Sequence, residues 1–226
     1  MVNIVLRIRE LKEKIPIEIL RDTLCKQFNI NKHERKFIVK DSEKNYIRIS
    51  FLDSKERDNA INILLKMKLE NRRIIADNKK IDILKIEKEQ YSIKIEMANI
   101  WEITFEKPTF LKIGSIFKEK IDAEMFFIWL MRRYNALYET REKIEKSELD
   151  NIQTLEENFE KIGIKIGNFF INGFKGSLKL DISKVTPSTK KLLEKLLNFV
   201  IYSGYGYKNE IGYGTISIKY QEETYE

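Results

Sequence analysis

The 226-residue chain is 42% hydrophobic and 34% charged, with a formal net charge of +7, a composition that makes a folded protein with one large core or two small ones. A single cysteine, Cys25, excludes an internal disulfide, and a single histidine, His33, leaves no Cys/His set for a zinc site. The longest uninterrupted apolar run, Met125 to Met131, falls far short of the roughly 20 residues of a bilayer crossing, and no N-terminal stretch reads as a signal peptide, so a soluble, cytoplasmic protein is expected.

Val2 to Arg9 alternates Val2, Ile4, Leu6 and Ile8 against Asn3, Arg7 and Arg9, the period of a strand with one buried face. Pro16 opens a helix in which Ile17, Leu20, Leu24 and Phe28 fall at helical spacing. Strands are predicted at Lys36 to Lys40 and Asn45 to Phe51, and Asp53 with Glu56 forms a capping pair for a helix running to about Leu69. A strand near Ile81 to Ile86 completes the order β-α-β-β-α-β, the ferredoxin-like motif.

The second half repeats that order more loosely. It reads as a strand around Trp101 to Phe105, a helix from about Asp122 to Tyr138, two strands within Gly163 to Leu180, a helix and a terminal strand. Thr186 caps the last helix and Pro187 starts it, with Leu192, Leu193, Leu196, Leu197 and Val200 as its apolar stripe. Glu139 to Asp150 reads as a charged, solvated connection. No Pro-, Gly- or Ser-rich linker separates the halves, which predicts two closely packed domains, 1–95 and 96–226.

The eleven residues Gly204 to Gly214 hold four of the chain's nine glycines. They leave a helix and open a strand, the reverse of a Walker loop or a dinucleotide fingerprint, which argues against a nucleotide cofactor. A loop with free backbone N–H groups, Lys208 and three tyrosines (Tyr205, Tyr207, Tyr213) suits a polyanion with stackable bases. An ordinary glycine-rich hairpin fits equally. Residues 161–220 carry ten lysines, no arginine and three acids, a local charge of 10 − 3 = +7. That excess points either to salt-sensitive phosphate binding or to a solvated lysine-rich face.

These residues resemble the CRISPR repeat-cleaving endoribonucleases, the processing branch of the repeat-associated RAMP proteins. The resemblance rests on Gly204-Tyr-Gly206 and Gly212-Tyr-Gly214, on Gly173-Phe-Lys-Gly176, on the Trp101 to Phe110 strand ending in Pro108-Thr109, and on His33-Glu34 before Lys36-Phe37. It implies an α+β protein of two tandem ferredoxin-like domains with a C-terminal glycine-rich loop, cutting repeat RNA without a metal or cofactor. His33 would transfer a proton, as acid or base, with Lys36 or Arg35 offsetting charge. Arg7, Arg9, Lys175, Gly204, Gly206, Lys208, Gly212 and Gly214 are the candidate RNA contacts. The implied partners are CRISPR repeat RNA and mature guide RNA, with other effector subunits and a homodimer as further possibilities, and no membrane. The tyrosine that some members carry on the first helix has no counterpart near Thr23-Leu24-Cys25. Some members also hold guide RNA without cutting it, which is the alternative function. A general RRM-like binder lacks support, because no aromatic RNP1-type strand is present.

Overall fold

The computed structural model describes residues 2–31, 37–90, 98–166 and 169–221. His33 and Lys36, with Arg35 between them, lie outside the described residues. The chain divides into two units, Met1–Tyr91 with Asn209–Gly212, and Ser92–Lys208 with Tyr213–Glu226. Among the described residues no helix is long and apolar enough to cross a membrane.

In the first unit the order is β1 (Val2–Ile8), α1 (Ile17–Phe28), β2 (Phe37–Ser42), β3 (Tyr46–Phe51), α2 (Ser54–Leu69), β4 (Ile74–Ala76), β5 (Lys79–Ile81) and β6 (Ile83–Glu89). The main sheet runs β2-β3-β1-β6, all antiparallel, which is the ferredoxin-like arrangement. Alternation decides its register: Ile4, Leu6 and Ile8 meet Ile47, Ile49, Phe37 and Phe51 on the core face, under Leu20, Leu24 and Phe28 of α1 and Ala60 and Leu64 of α2. Asp53 caps α2 as its spacing predicts, accepting the Glu56 N–H at 2.9 Å. Cys25 is a buried core residue.

Two features of this unit depart from expectation. The single strand near Ile81 to Ile86 is instead a β4-β5 hairpin followed by β6. Asp77 and Asn78, at φ 51° and 56°, make the primed turn that matches strand twist, with a dipeptide less diagnostic than Asn-Gly. Arg9 lies beyond the end of β1, so it does not share a strand face with Arg7.

In the second unit β7 (Ile100–Thr109), β8 (Leu111–Ile113), β9 (Ile116–Lys118), α3 (Ala123–Tyr138), α4 (Lys146–Asp150), β10 (Gln153–Ile166), β11 (Phe169–Asp181), α5 (Pro187–Ser203), a 3₁₀ turn (Asn209–Ile211, grouped with the first unit) and β12 (Ile216–Gln221) follow in order. The sheet β10-β11-β7-β12 repeats the ferredoxin-like order. β10 and β11 are far longer than the Gly163 to Leu180 reading, because residues 153–158 of β10 form an edge strand exposed on both faces, which leaves no hydrophobic period to detect. The β8-β9 hairpin was not foreseen either.

The 139–150 connection is anchored rather than solvated. Ile144 and Leu149 are buried, and Asn135 ties the turn by accepting from the Glu142 N–H at 3.0 Å and the Thr140 hydroxyl at 2.8 Å while donating to the Glu142 carbonyl at 2.8 Å. Thr186 stands at the α5 N-cap, yet its side chain makes no cap bond to the helix backbone. Instead Glu148 accepts from both its N–H (3.0 Å) and its hydroxyl (3.1 Å), placing a carboxylate at the positive end of the helix dipole. Glu148→Ala is therefore expected to lower the melting temperature by about 2–4 °C, the shift from losing ~1 kcal/mol in a chain of this size. A scan of variant and parent side by side checks this, and an unchanged midpoint would dismiss Glu148 as the surrogate cap.

Candidate nucleic-acid interface

The glycine loop is built from α5 outward. Gly204, at φ 64°, stops the helix and donates its N–H to the Val200 carbonyl at 2.8 Å. Tyr205 then turns inward to 0% exposure, its ring stacked on Phe126 (5.1 Å between centroids) and against Trp129 (4.4 Å). Its hydroxyl donates to the Met125 carbonyl at 3.2 Å. Burial, with the Asp122 carboxylate adding to it, pushes this phenol well above its ordinary pKa. Tyr205 is a core residue and offers no surface to a base.

The glycines answer to the protein's own backbone. A Cβ on Gly206 (φ 88°) would stand 2.6 Å from the Phe110 carbonyl oxygen, one on Gly212 (φ 86°) 2.5 Å from that of Lys40, and one on Gly214 (φ 63°) would intrude on the Tyr205 carbonyl. Several of the loop's N–H groups, expected to be free for a ligand, are engaged within the chain. Tyr205 N–H goes to the Gly214 carbonyl (2.8 Å), Tyr207 N–H to Phe110 (2.6 Å), Gly212 N–H to Asn209 (3.0 Å) and Gly214 N–H to Pro108 (2.9 Å). Close packing of chain on chain, satisfied by internal hydrogen bonds, explains the glycines.

The sequence segments that prompted the family resemblance in the second unit come together here. Pro108 and Phe110 supply the carbonyls just named, and Phe110 packs edge-on against Tyr213 at 5.1 Å. Gly173 lies against the Thr109 carbonyl and the Phe110 ring, where no Cβ fits. Lys175 sits at the irregularity between Phe174 and Gly176 in the β11-β7 pairing, with Glu160 of β10 as its cross-strand neighbour. Phe105 to Phe110, Gly173 to Gly176 and the loop residues Tyr205 to Tyr207, Tyr213 and Gly214 are thus one packed cluster.

What the cluster turns outward is Tyr207, 39% exposed, and Lys208, held at φ 62° with its Nζ 5.6 Å from the Tyr207 ring centroid. Two neighbours escaped the sequence reading. Phe117 of β9 meets Tyr207 edge-to-face at 6.0 Å, and Lys112 of β8 lies 5.8 Å over Phe117. Gly114-Ser115 between two apolar residues was the available signal, a two-residue hairpin turn with glycine at the first central position.

The charge excess of residues 161–220 is partly offset from elsewhere. Lys161 pairs with Glu119 (2.6 Å), Lys179 with Glu156 (3.1 Å) and Lys195 with Glu142 (2.6 Å). In the first unit Arg7 donates to Glu87 at 2.9 Å and Arg9 pairs with Asp82 at 3.4 Å. Lys85 and then Arg7 hold the Glu87 carboxyl below its usual range. A phosphate meeting either arginine competes with a carboxylate already in place. Among the described residues no group of three or more His, Cys, Asp or Glu side chains is placed to hold a metal ion.

A family model described as the CRISPR-associated endoribonuclease Cas6 matches residues 103–216, half of the chain, from within β7 through the glycine loop. Among solved structures, a Cas6 (TTHA0078) product complex has a TM-score of 0.73 at 15% identity over 98% of this chain and 100% of that one. Thermus thermophilus Cas6 (TTHB231) has a TM-score of 0.64 at 12% identity over 96% and 98%, and a Cas6-related protein from Pyrococcus furiosus 0.61 at 12% over 99% of each chain. At such identities these likenesses establish the fold. Among curated proteins nothing matches the chain. With the family model covering half of the chain, from within β7 through the glycine loop to the start of β12, this chain belongs to the Cas6 family of CRISPR-associated endoribonucleases.

Proposed function

We propose that this protein cleaves CRISPR precursor RNA within the repeat, without a metal ion, using the RNA's own ribose. The family match across residues 103–216 carries this reading. In the step, a 2′-oxygen bonds to the adjacent phosphorus while the bond to the 5′-oxygen of the next nucleotide breaks. The 2′-hydroxyl proton leaves, the departing 5′-oxygen gains one, and a 2′,3′-cyclic phosphate and a 5′-hydroxyl result. The protein needs only a proton-transfer group and a cation for the developing negative charge. His33, the chain's one histidine, is of the side-chain type whose ordinary pKa lies near neutrality, and Lys36 follows three residues later in the sequence, one position before the first residue of β2.

Binding falls to Lys175 and Lys208 of the second unit and to Arg7 and Arg9 of the first, with Gly204, Gly206, Gly212 and Gly214 shaping the loop that carries Lys208. Lys208→Ala is expected to weaken repeat-RNA binding evenly across sequences and to flatten the plot of log affinity against log salt by about 0.7–0.9. An unchanged slope would remove Lys208 from the phosphate contacts. The chemistry is tested by the cut ends. The 3′ fragment should accept a 5′-phosphate from polynucleotide kinase without prior phosphatase, and the 5′ fragment should carry the cyclic phosphate. Fragments bearing a 5′-phosphate would contradict 2′-hydroxyl attack. Tight binding with no fragments at all would favour a guide-holding protein.

A further inference from the structure

We propose that the β8-β9 hairpin and Tyr207 form a stacking platform for one unpaired base of the bound RNA, with Lys112 and Lys208 taking the phosphates on either side. The proposal rests on the RNA-binding reading above and adds to it a specific site. Its geometry is a row of four groups: Lys112 Nζ 5.8 Å from the Phe117 ring, Phe117 6.0 Å from Tyr207, and Lys208 Nζ 5.6 Å from Tyr207. The two rings stand at 65°, so they offer a base one face to lie on and one edge to abut.

The row is held by backbone, which limits the ordering cost of binding. Lys112 and Phe117 are direct cross-strand partners in the hairpin, and Tyr207 is bridged to Phe110, the residue preceding β8, through its N–H bond of 2.6 Å. Lys112 is exposed, Tyr207 is exposed and Phe117 is half-buried. The hairpin also exposes Ile113 (47%) and Ile116 (64%) beside the turn, apolar surface that adjoins the two rings. An apolar partner would explain exposed isoleucines and rings but not a lysine over each ring. A nucleotide explains both, because each base brings a π-face and its backbone brings the anion. The cationic ends and aromatic middle therefore favour RNA over a protein segment.

The test uses the full chain and its CRISPR repeat RNA, with 2-aminopurine placed at one unpaired position at a time. Stacking quenches this base, so one position should dim on binding to the parent protein. Phe117→Leu and Tyr207→Leu remove the ring but keep an apolar side chain, and should each abolish that quench and weaken binding by about 5- to 100-fold, the range typical of losing one stacked base. Lys112→Ala should keep the quench but lower the salt slope. Melting curves matched to the parent verify the variants' folds, and Phe117→Trp, which restores a ring, should recover the quench if the leucine variant unfolds. Full affinity and unchanged quenching in both leucine variants would overturn the platform while leaving RNA binding standing. No RNA binding by the parent would overturn both readings together.

Discussion

His33→Ala is expected to slow repeat cleavage by about 100- to 10,000-fold, the contribution typical of a positioned general acid or base, while leaving repeat-RNA affinity within about twofold. The separation of the two readouts matters. A histidine that only touched phosphate would lose affinity and rate together, whereas a proton-transfer group acts in the transition state and leaves ground-state binding alone. No other side chain in this sequence has an unperturbed pKa near 7, so no second histidine can substitute. Single-turnover cleavage under saturating protein gives the rate, and filter binding of a 2′-deoxy substrate gives the affinity. A variant that cuts at the parental rate would remove His33 from the chemistry.

Gly214→Ala should unfold the protein far more readily than Gly114→Ala, although both glycines have nearly the same positive φ. Gly214 lies at φ 63° and Gly114 at φ 60°, so the strain of placing an alanine in the left-handed region, about 1–2 kcal/mol, is common to both. Around Gly114 nothing lies within 4 Å of a new Cβ, whereas at Gly214 the Cβ would intrude on the Tyr205 carbonyl and force the paired backbone apart. That adds roughly 1–3 kcal/mol of overpacking and endangers the two hydrogen bonds that join Gly214 to Tyr205 and Pro108. We expect Gly114→Ala to lower the melting temperature by about 2–6 °C and Gly214→Ala by about twice that or more. Equal shifts would mean that the loop relaxes freely, and the packed cluster would then not explain the glycines.

The contrast shows what the sequence could and could not convey. Asp53 with Glu56, and the apolar stripe on α5, were readable because capping and helical periodicity are local. Both ferredoxin-like orders followed from such local patterns. The four loop glycines were readable as a backbone requirement, but sequence cannot say whose backbone comes close. Here it is the chain's own, through carbonyls of Lys40, Tyr205 and Phe110 that lie far off in the chain or across the loop. Likewise Tyr205 and Tyr207 differ by two positions and read alike, yet one packs on Phe126 and Trp129 while the other faces solvent. The first part of β10, residues 153–158, was hidden because an edge strand with both faces wet carries no hydrophobic period, and Phe117 because its significance comes from Tyr207, ninety residues away.

The most direct measurement of the central claim is incubation of the purified protein with its CRISPR repeat RNA in EDTA, beside the same RNA carrying a 2′-deoxynucleotide immediately before the cut. Metal-free cleavage through the ribose predicts that the first is cut and the second survives intact at equal affinity. Cleavage of both would place the nucleophile outside the RNA, and survival of both in EDTA with cutting restored by a divalent cation would contradict a metal-independent enzyme.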